Sequence, residues 1–224
     1  MNCTICKGLG FINDTIAKDN RIYDIAIECD CIKSYKENAI KERLLRNLNL
    51  PESEYTKTFE TFEVNLMTQN VYNQVKSFSD DPNSRNILLF SPKYGCGKSH
   101  LAKAVLLNNY NKAMCAYINT AKFFNDLKAG NFENLKSQKE ALQKADLVIL
   151  DDLTLSKPAD WKIETYYEIF EDRYNNNLST IITANIKTPC DLMAYLGGAA
   201  FDRFIKRAIC VDFSNVPGRR RNVN

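Results

Sequence analysis

Leu88-Leu89-Phe90-Ser91-Pro92-Lys93-Tyr94-Gly95-Cys96-Gly97-Lys98-Ser99-His100-Leu101 is the stretch on which the reading of this chain turns. An apolar run enters a glycine-rich turn, and the turn ends in Gly-Lys-Ser where a helical pattern begins. Such a loop cradles nucleotide phosphates with backbone N–H groups, here those of Gly95, Cys96, Gly97, Lys98, Ser99 and His100. Lys98 then reaches the β and γ oxygens and the Ser99 hydroxyl holds Mg²⁺. Pro92 stands where the pattern G-x-x-x-x-G-K-[ST] has its first glycine. A chance Gly-Lys-Ser in a loop is the alternative, and the strand before it and helix after it weigh against that.

Outward from this loop, strands and helices alternate. Residues 87–91, 113–118, 147–150, 180–184 and 208–213 are short apolar runs of strand type. Between them, 98–109, 120–128, 135–144, 161–174, 188–196 and 198–205 read as helices. This alternation predicts an α/β fold, a parallel sheet covered by helices on both faces. Ligands of such sheets bind at the carboxyl ends of the strands. Upstream, residues 32–48 carry helical periodicity through Ile32, Tyr35, Ala39, Ile40, Leu44, Leu45 and Leu48. Leu50-Pro51 ends that helix, 56–64 is a connector with two aromatic anchors, Phe59 and Phe62, and 66–78 reads as a further helix. The organisation expected is a module over 1–48, a linker and lead-in helix over 49–85, and the α/β domain over 86–224.

Leu147-Val148-Ile149-Leu150-Asp151-Asp152 is a second nucleotide element. A buried strand would deliver Asp151 to the Mg²⁺ at its carboxyl end, and Asp152 would orient or deprotonate the attacking water. Two acids after a strand also suit a turn or a helix cap. Their place about 50 residues after Gly-Lys-Ser favours the nucleotide site. Ser179-Thr180-Ile181-Ile182-Thr183-Ala184-Asn185 ends another strand in a polar residue, and Asn185 would position water beside the same phosphates, with a plain strand-end turn as the alternative.

Four of the eight cysteines fall in the first 31 residues, as Cys3-Thr4-Ile5-Cys6 and Cys29-Asp30-Cys31. Each pair can give two thiolates to one metal, and a hairpin with a turn near 17–20 would bring the pairs together into a closed Cys₄ zinc site. Cys6-Lys7-Gly8-Leu9-Gly10 resembles a zinc-knuckle turn, in which glycines let backbone amides approach the sulfurs. About 30 residues cannot bury a sufficient core, so a metal would supply the missing stability. Redox thiols at Cys3 and Cys6 are the rival reading. A closed Cys₄ set leaves no open position for catalysis. Cys115 and Cys210 lie in strand-like runs and are expected to be small core residues. His100, the only histidine, reads as a loop or packing residue as well as a phosphate-loop position.

The bulk composition is that of an ordinary globular protein: 45% hydrophobic, 25% charged, net charge +3 over 224 residues. No apolar run approaches the roughly 20 residues of a membrane span, and the N-terminal residues show no secretory pattern, so a cytoplasmic setting is expected. Cations concentrate at Lys33, Lys36, Lys41, Arg43 and Arg46, and at Arg219-Arg220-Arg221. Such clusters fit solvated faces by default, with nucleic acid or acidic partners as the alternative.

The phosphate loop, Asp151-Asp152, the stretch Tyr167-Glu168-Ile169-Phe170-Glu171-Asp172-Arg173-Tyr174, residues 179–185 and the lead-in from Leu50-Pro51 through Thr58-Phe59-Glu60-Thr61-Phe62 together resemble the DnaC/DnaI/IstB family of AAA+ ATPases over about residues 45–221. The resemblance implies ATP and Mg²⁺ as cofactors and self-assembly through the ATP site. It implies an arginine finger at Arg203, in Asp202-Arg203-Phe204, with Arg207 as the second choice, and a second-sensor arginine at Arg220. Asp152 replaces the glutamate of many such enzymes, which suggests slow hydrolysis. A cysteine-rich N-terminal module points to helicase loaders, hence to a DnaB-type replicative helicase and single-stranded DNA as partners. A transposition helper of the IstB type, acting on duplex DNA, is the alternative. A nucleotide-dependent interaction module with little hydrolysis is a third reading. Phe123, Phe124, Lys122 and Lys128 are candidates for gripping a single strand, although the two phenylalanines equally suit the core.

Overall fold

The chain divides into two compact units, Met1–Arg46 and Asn47–Asn224. The structure, a computed structural model, describes residues 3–18, 21–46, 48–130, 132–153 and 159–218. In the first unit β1 (Phe11–Lys18) and β2 (Arg21–Glu28) form an antiparallel hairpin, in register from Phe11↔Glu28 to Lys18↔Arg21. Most of its side chains are exposed, as a two-stranded ribbon has no second layer to bury them. Cys6, Gly10 and Cys29 are buried at its base. The Cys29 N–H donates to Gly10 O at 2.8 Å, and the Cys29 carbonyl accepts from Ile32 and Lys33 at the start of α1 (Asp30–Arg46).

The second unit opens with a single 3₁₀ turn, Glu52–Glu54, and then α2 (Gln69–Asp80). Helix α2 begins later than the expected residue 66 because side chains satisfy the backbone there. Asn65 Oδ1 accepts the Met67 and Thr68 N–H groups at 2.9 and 3.2 Å, and Thr68 Oγ1 accepts the Asn65 N–H at 2.7 Å. Leu66 and Met67 consequently stay exposed, while Val71, Val75 and Phe78 form the buried stripe of α2.

The alternating region forms β3 (Asn86–Phe90), α3 (Lys98–Asn109), β4 (Cys115–Asn119), α4 (Thr120–Ala129), α5 (Phe132–Lys144), β5 (Leu147–Leu153), α6 (Asp160–Asn175), β6 (Ser179–Ala184), α7 (Met193–Leu196), α8 (Gly198–Ile205) and β7 (Ala208–Asp212). The five strands make one sheet in the order β4-β5-β6-β3-β7, every pairing parallel. β3 and β6 are buried along their whole length, as strands covered on both faces must be. The phosphate loop leaves the carboxyl end of β3 with β6 and β5 beside it, so the ends of three central strands define one site.

Two expectations are corrected. Phe123 and Phe124 are buried, edge to face at 5.2 Å, and Phe124 packs against Tyr166 at 5.0 Å. They belong to the core and present no stacking surface, whereas Lys122 and Lys128 remain exposed. Cys210 is exposed and not a core residue, because β7 is an edge strand in which only Val211 is buried. Among the described residues no helix is long and apolar enough to cross a membrane.

Candidate nucleotide and metal sites

The loop after β3 turns at Gly95 and Gly97, with φ of 70° and 98°. At Gly97 a Cβ would also lie 2.7 Å from the Phe62 ring, so both conformation and close approach require glycine there. Residue 92 needs no such freedom: Pro92 is not among the positive-φ residues, and the Ser91 hydroxyl takes the Lys93 N–H at 3.0 Å. The missing first glycine therefore does not distort the loop. α3 starts at Lys98, placing the free N–H groups of its first turn beside the loop. Lys98 is buried and its Nζ donates to Lys93 O at 2.8 Å.

The loop borders a cleft of about 880 Å³, lined also by Asp151, Asp152, Thr183, Asn185 and the lead-in residues Glu54 and Phe62. Asp151 lies at its centre. Its Oδ1 accepts the Ser99 hydroxyl at 2.7 Å and the Thr183 hydroxyl at 2.6 Å. Its Oδ2 accepts the Tyr117 hydroxyl at 2.8 Å and lies 3.7 Å from Lys103 Nζ. Burial, then the adjacent Asp151 carboxylate, raise the Tyr117 hydroxyl above its usual range, so it remains a proton donor. The Ser99 hydroxyl and the Asp151 carboxylate form a pair of hard oxygen donors open to a cleft. This suits Mg²⁺, which takes few protein ligands and keeps several waters or phosphate oxygens.

Asp152 sits on a bulge. β5 and β6 pair in register to Leu150↔Ile182 and resume at Leu153↔Ala184, so two residues of β5, Asp151 and Asp152, stand against one of β6, Thr183. Asp152 has φ of 56°, a left-handed conformation that costs a non-glycine residue about 1–3 kcal/mol. Its N–H donates to Thr183 Oγ1 at 2.9 Å, and its Oδ1 accepts from Asn185 Nδ2 at 3.2 Å. The bulge turns a second carboxylate toward the cleft directly after the first.

Sequence reasoning missed Thr183, Tyr117, Lys103 and Glu54. Three of them were within reach of simple periodicity. Thr183 lies two residues before Asn185, Tyr117 two before the end of β4, and Lys103 four after Ser99 on α3, the spacings that put side chains on one face of a strand or helix. Glu54 had no local signal.

His100 turns its ring to the lead-in segment. Its Nε2 lies 2.9 Å from Thr58 O and its ring stands edge to face on Phe62 at 5.2 Å. Its backbone remains with the loop. Arg203 is outside its own chain's cleft: it pairs with Glu171 of α6, donates to Ala199 O and lies over the Tyr167 ring at 5.0 Å. Arg207 covers Tyr174 at 4.3 Å and donates to Asn177 Oδ1 at 2.7 Å. Arg220 lies outside the described residues. Arg173, in the stretch that carried the family resemblance, is buried, its guanidinium donating to Leu142 O, Ala145 O, Ser179 O and Thr180 Oγ1 at 2.6–3.0 Å. It ties α6 to the end of α5 and to β6.

In the first unit the Sγ atoms of Cys3, Cys6, Cys29 and Cys31 all lie within 4.8 Å of one another. The close contacts run between the two pairs, Cys3 to Cys29 at 3.8 Å and Cys6 to Cys31 at 3.4 Å. A tetrahedron with Zn–S bonds of about 2.3 Å has sulfur–sulfur edges of about 3.8 Å, so the set fits a zinc ion. Burial opposes ionisation of Cys6, yet the Gly10 and Gly8 amides and the Cys31 and Cys3 thiols bring it down to about 6. Contact with Cys6, then burial, then Cys29 push Cys31 up to about 12. Metal-free, the cluster resists full ionisation by mutual repulsion, which a divalent cation would relieve.

A five-stranded parallel sheet with a phosphate loop, paired acids and a polar residue at adjacent strand ends defines an AAA+ P-loop ATPase fold. The chain belongs to the IstB-like ATP binding protein family, whose model matches residues 32–222. It is similar to the solved DnaC helicase loader, at 22% identity and a TM-score of 0.61 over 72% of this chain and 99% of that one. A solved DnaI gives 16% identity and a TM-score of 0.63 over 77% and 95%. Among curated relatives, the chromosomal replication initiator DnaA of Enterococcus faecalis is 27% identical over 60% of this chain. A putative insertion sequence ATP-binding protein of Sinorhizobium fredii is 32% identical over 64%. The chain spans about a third to a half of the curated relatives it matches, 31% of the first and 49% of the second.

Proposed function

We propose that this protein is an ATP-dependent loader that binds a DnaB-type replicative helicase and single-stranded DNA in the cytoplasm during replication initiation. The observation that carries the proposal is the pairing of a Cys₄ unit with a nucleotide cleft whose candidate trans-acting arginine, Arg203, faces away from its own chain's acids. In this reading residues 1–48 grip the helicase, 49–85 lead into the ATPase, and 86–224 bind ATP. Loop amides and Lys98 hold the phosphates. Ser99 and Asp151 hold Mg²⁺, which when bound neutralises phosphate charge. Asp152, steadied by Asn185, orients the attacking water. Arg203 of an adjacent copy completes the site, a contribution of about 10³–10⁵ in rate where such arginines act. Arg220 serves as the second sensor. The short arm of Asp152, tied back to Asn185, suits slow hydrolysis stimulated by assembly or DNA, and so a switch. Cys3, Cys6, Cys29 and Cys31 would hold a zinc ion, which would supply stability that the small first unit lacks. Lys122 and Lys128 are exposed cations available to a DNA backbone.

A second reading, an IstB-like transposition helper on duplex DNA, draws support from the family match and from the insertion-sequence relative. Native mass spectrometry of the full chain with a DnaB-type helicase, ATP, zinc and either single-stranded or duplex DNA separates the two. The loader reading expects a helicase complex that depends on ATP, with one zinc per chain. Assembly on duplex DNA with no helicase bound would establish the second reading instead. Equal nucleotide binding by wild type and Lys98→Ala would remove the ATP site from both.

A further inference from the structure

Asp151 is the carboxylate on which the ATP site centres, and among the described residues Lys103 is the one cation within 4 Å of it. Lys103 lies on α3 four residues after Ser99, so both side chains reach the same acid from one helix face. Its side chain is 11% exposed, and the ammonium is shared. It lies 2.8 Å from Glu54 Oε2 and 3.7 Å from Asp151 Oδ2, against the Tyr117 ring at 5.2 Å. The other partners of Asp151, the hydroxyls of Ser99, Thr183 and Tyr117, are neutral. Glu54 comes from the 3₁₀ turn of the lead-in, about 50 residues before Lys103 in sequence, and borders the same cleft.

One ammonium between two carboxylates has two settings. Drawn to Glu54, it leaves Asp151 negative and ready for a divalent cation. Drawn to Asp151, it occupies that acid's charge and opposes the cation. We propose that Lys103 is a built-in counter-ion that competes with the divalent metal for Asp151, and that Glu54 of the lead-in sets the strength of this competition. The proposal rests on the ATP-site reading above and adds its regulation. Because linkage is reciprocal, metal at Asp151 drives Lys103 onto Glu54 and fastens the lead-in, while displacement of the lead-in releases Lys103 to Asp151 and loosens the metal. Neutralising groups 3–4 Å apart in a half-buried cleft shifts such equilibria by roughly tenfold.

The test is binding of a fluorescent ATP analogue to the full chain, titrated with Mg²⁺ and repeated in EDTA, alongside hydrogen exchange of residues 52–62. Glu54→Gln should raise the Mg²⁺ midpoint roughly tenfold, and Lys103→Met should lower it. The double variant should follow Lys103→Met, and Lys103→Arg should stay near wild type. Magnesium and nucleotide should slow exchange over 52–62 in wild type and not in Lys103→Met. Midpoints that move in the same direction in Glu54→Gln and Lys103→Met, or that ignore Glu54→Gln, overturn the proposal. Should Lys103→Met fail to fold, Glu54→Gln and the wild-type exchange pattern decide alone. A wild type that binds no analogue under any condition would sink the ATP-site reading itself, a different result from Mg²⁺-dependent binding that is indifferent to Glu54.

Discussion

Thr183→Val removes one hydroxyl that serves both acids of the cleft. Thr183 Oγ1 donates to Asp151 Oδ1 at 2.6 Å and accepts the Asp152 N–H at 2.9 Å. Valine keeps the shape and the strand preference, so the change isolates the hydrogen bonds. A bond to a charged acceptor contributes about 1.5–3 kcal/mol and a neutral one about 0.5–1.5 kcal/mol, so the loss is about 2–4.5 kcal/mol. For a chain of this size that lowers Tm by about 5–15 °C. The Asp152 backbone, at φ of 56°, is held by that N–H bond and by the Thr120 hydroxyl, which donates to Asp152 O at 3.0 Å, while Asn185 steadies the side chain. Without the bond to Thr183, the left-handed conformation loses one of its two ties, and the second carboxylate leaves its aim. ATP hydrolysis should fall at least tenfold, each factor of ten corresponding to about 1.4 kcal/mol. Binding of the ATP analogue should change by less than about threefold, since the phosphate loop is untouched. Thr183→Ser should restore both Tm and turnover. The assay is single-turnover hydrolysis with a thermal melt on the same samples. A Thr183→Val protein that melts lower yet hydrolyses ATP at the wild-type rate would refute the link between the bulge and the chemistry.

Three further outcomes follow from the proposed function. Chelation of zinc, or Cys6→Ser, should unfold residues 3–46 while the melt of the second unit stays in place; amide exchange by mass spectrometry reads the two separately, and a protected metal-free hairpin would count against the zinc site. Gly97→Ala should abolish detectable nucleotide binding, since the substitution meets both a φ of 98° and the Phe62 ring at 2.7 Å, and isothermal titration measures it. Arg203→Ala should leave ATP binding intact and reduce assembly-stimulated hydrolysis by about 10³ or more. Mixing it with Lys98→Ala chains should recover part of the activity, because one copy then offers an intact arginine and the other an intact loop; no recovery at any ratio would place Arg203 outside the chemistry.

What the sequence made legible here was local chemistry, and what it hid was assembled through space. The loop from Phe90 to Ser99 is a contiguous motif, and the strands at 87–91, 147–150 and 180–184 are short apolar runs of the kind a doubly covered parallel sheet accommodates. That the paired acids fall next to the loop is a consequence of strand order, β5-β6-β3, which the sequence pattern alone does not dictate. Pro92 departs from the pattern in residue type and not in conformation. The backbone shows that only residues 95 and 97 need a positive φ, so the constraint was narrower than the motif. Phe123 and Phe124 shared an ambiguity that no local signal removes: an aromatic pair on an amphipathic helix fits a core or a stacking platform, and burial against Tyr166 decides it. Glu54 and Lys103 show the deeper limit. One sits in a polar turn and the other on a polar-looking helix position, and each alone reads as a solvated charge. Only the fold brings them together beside Asp151, where the Lys103 ammonium lies between two carboxylates with its side chain largely buried.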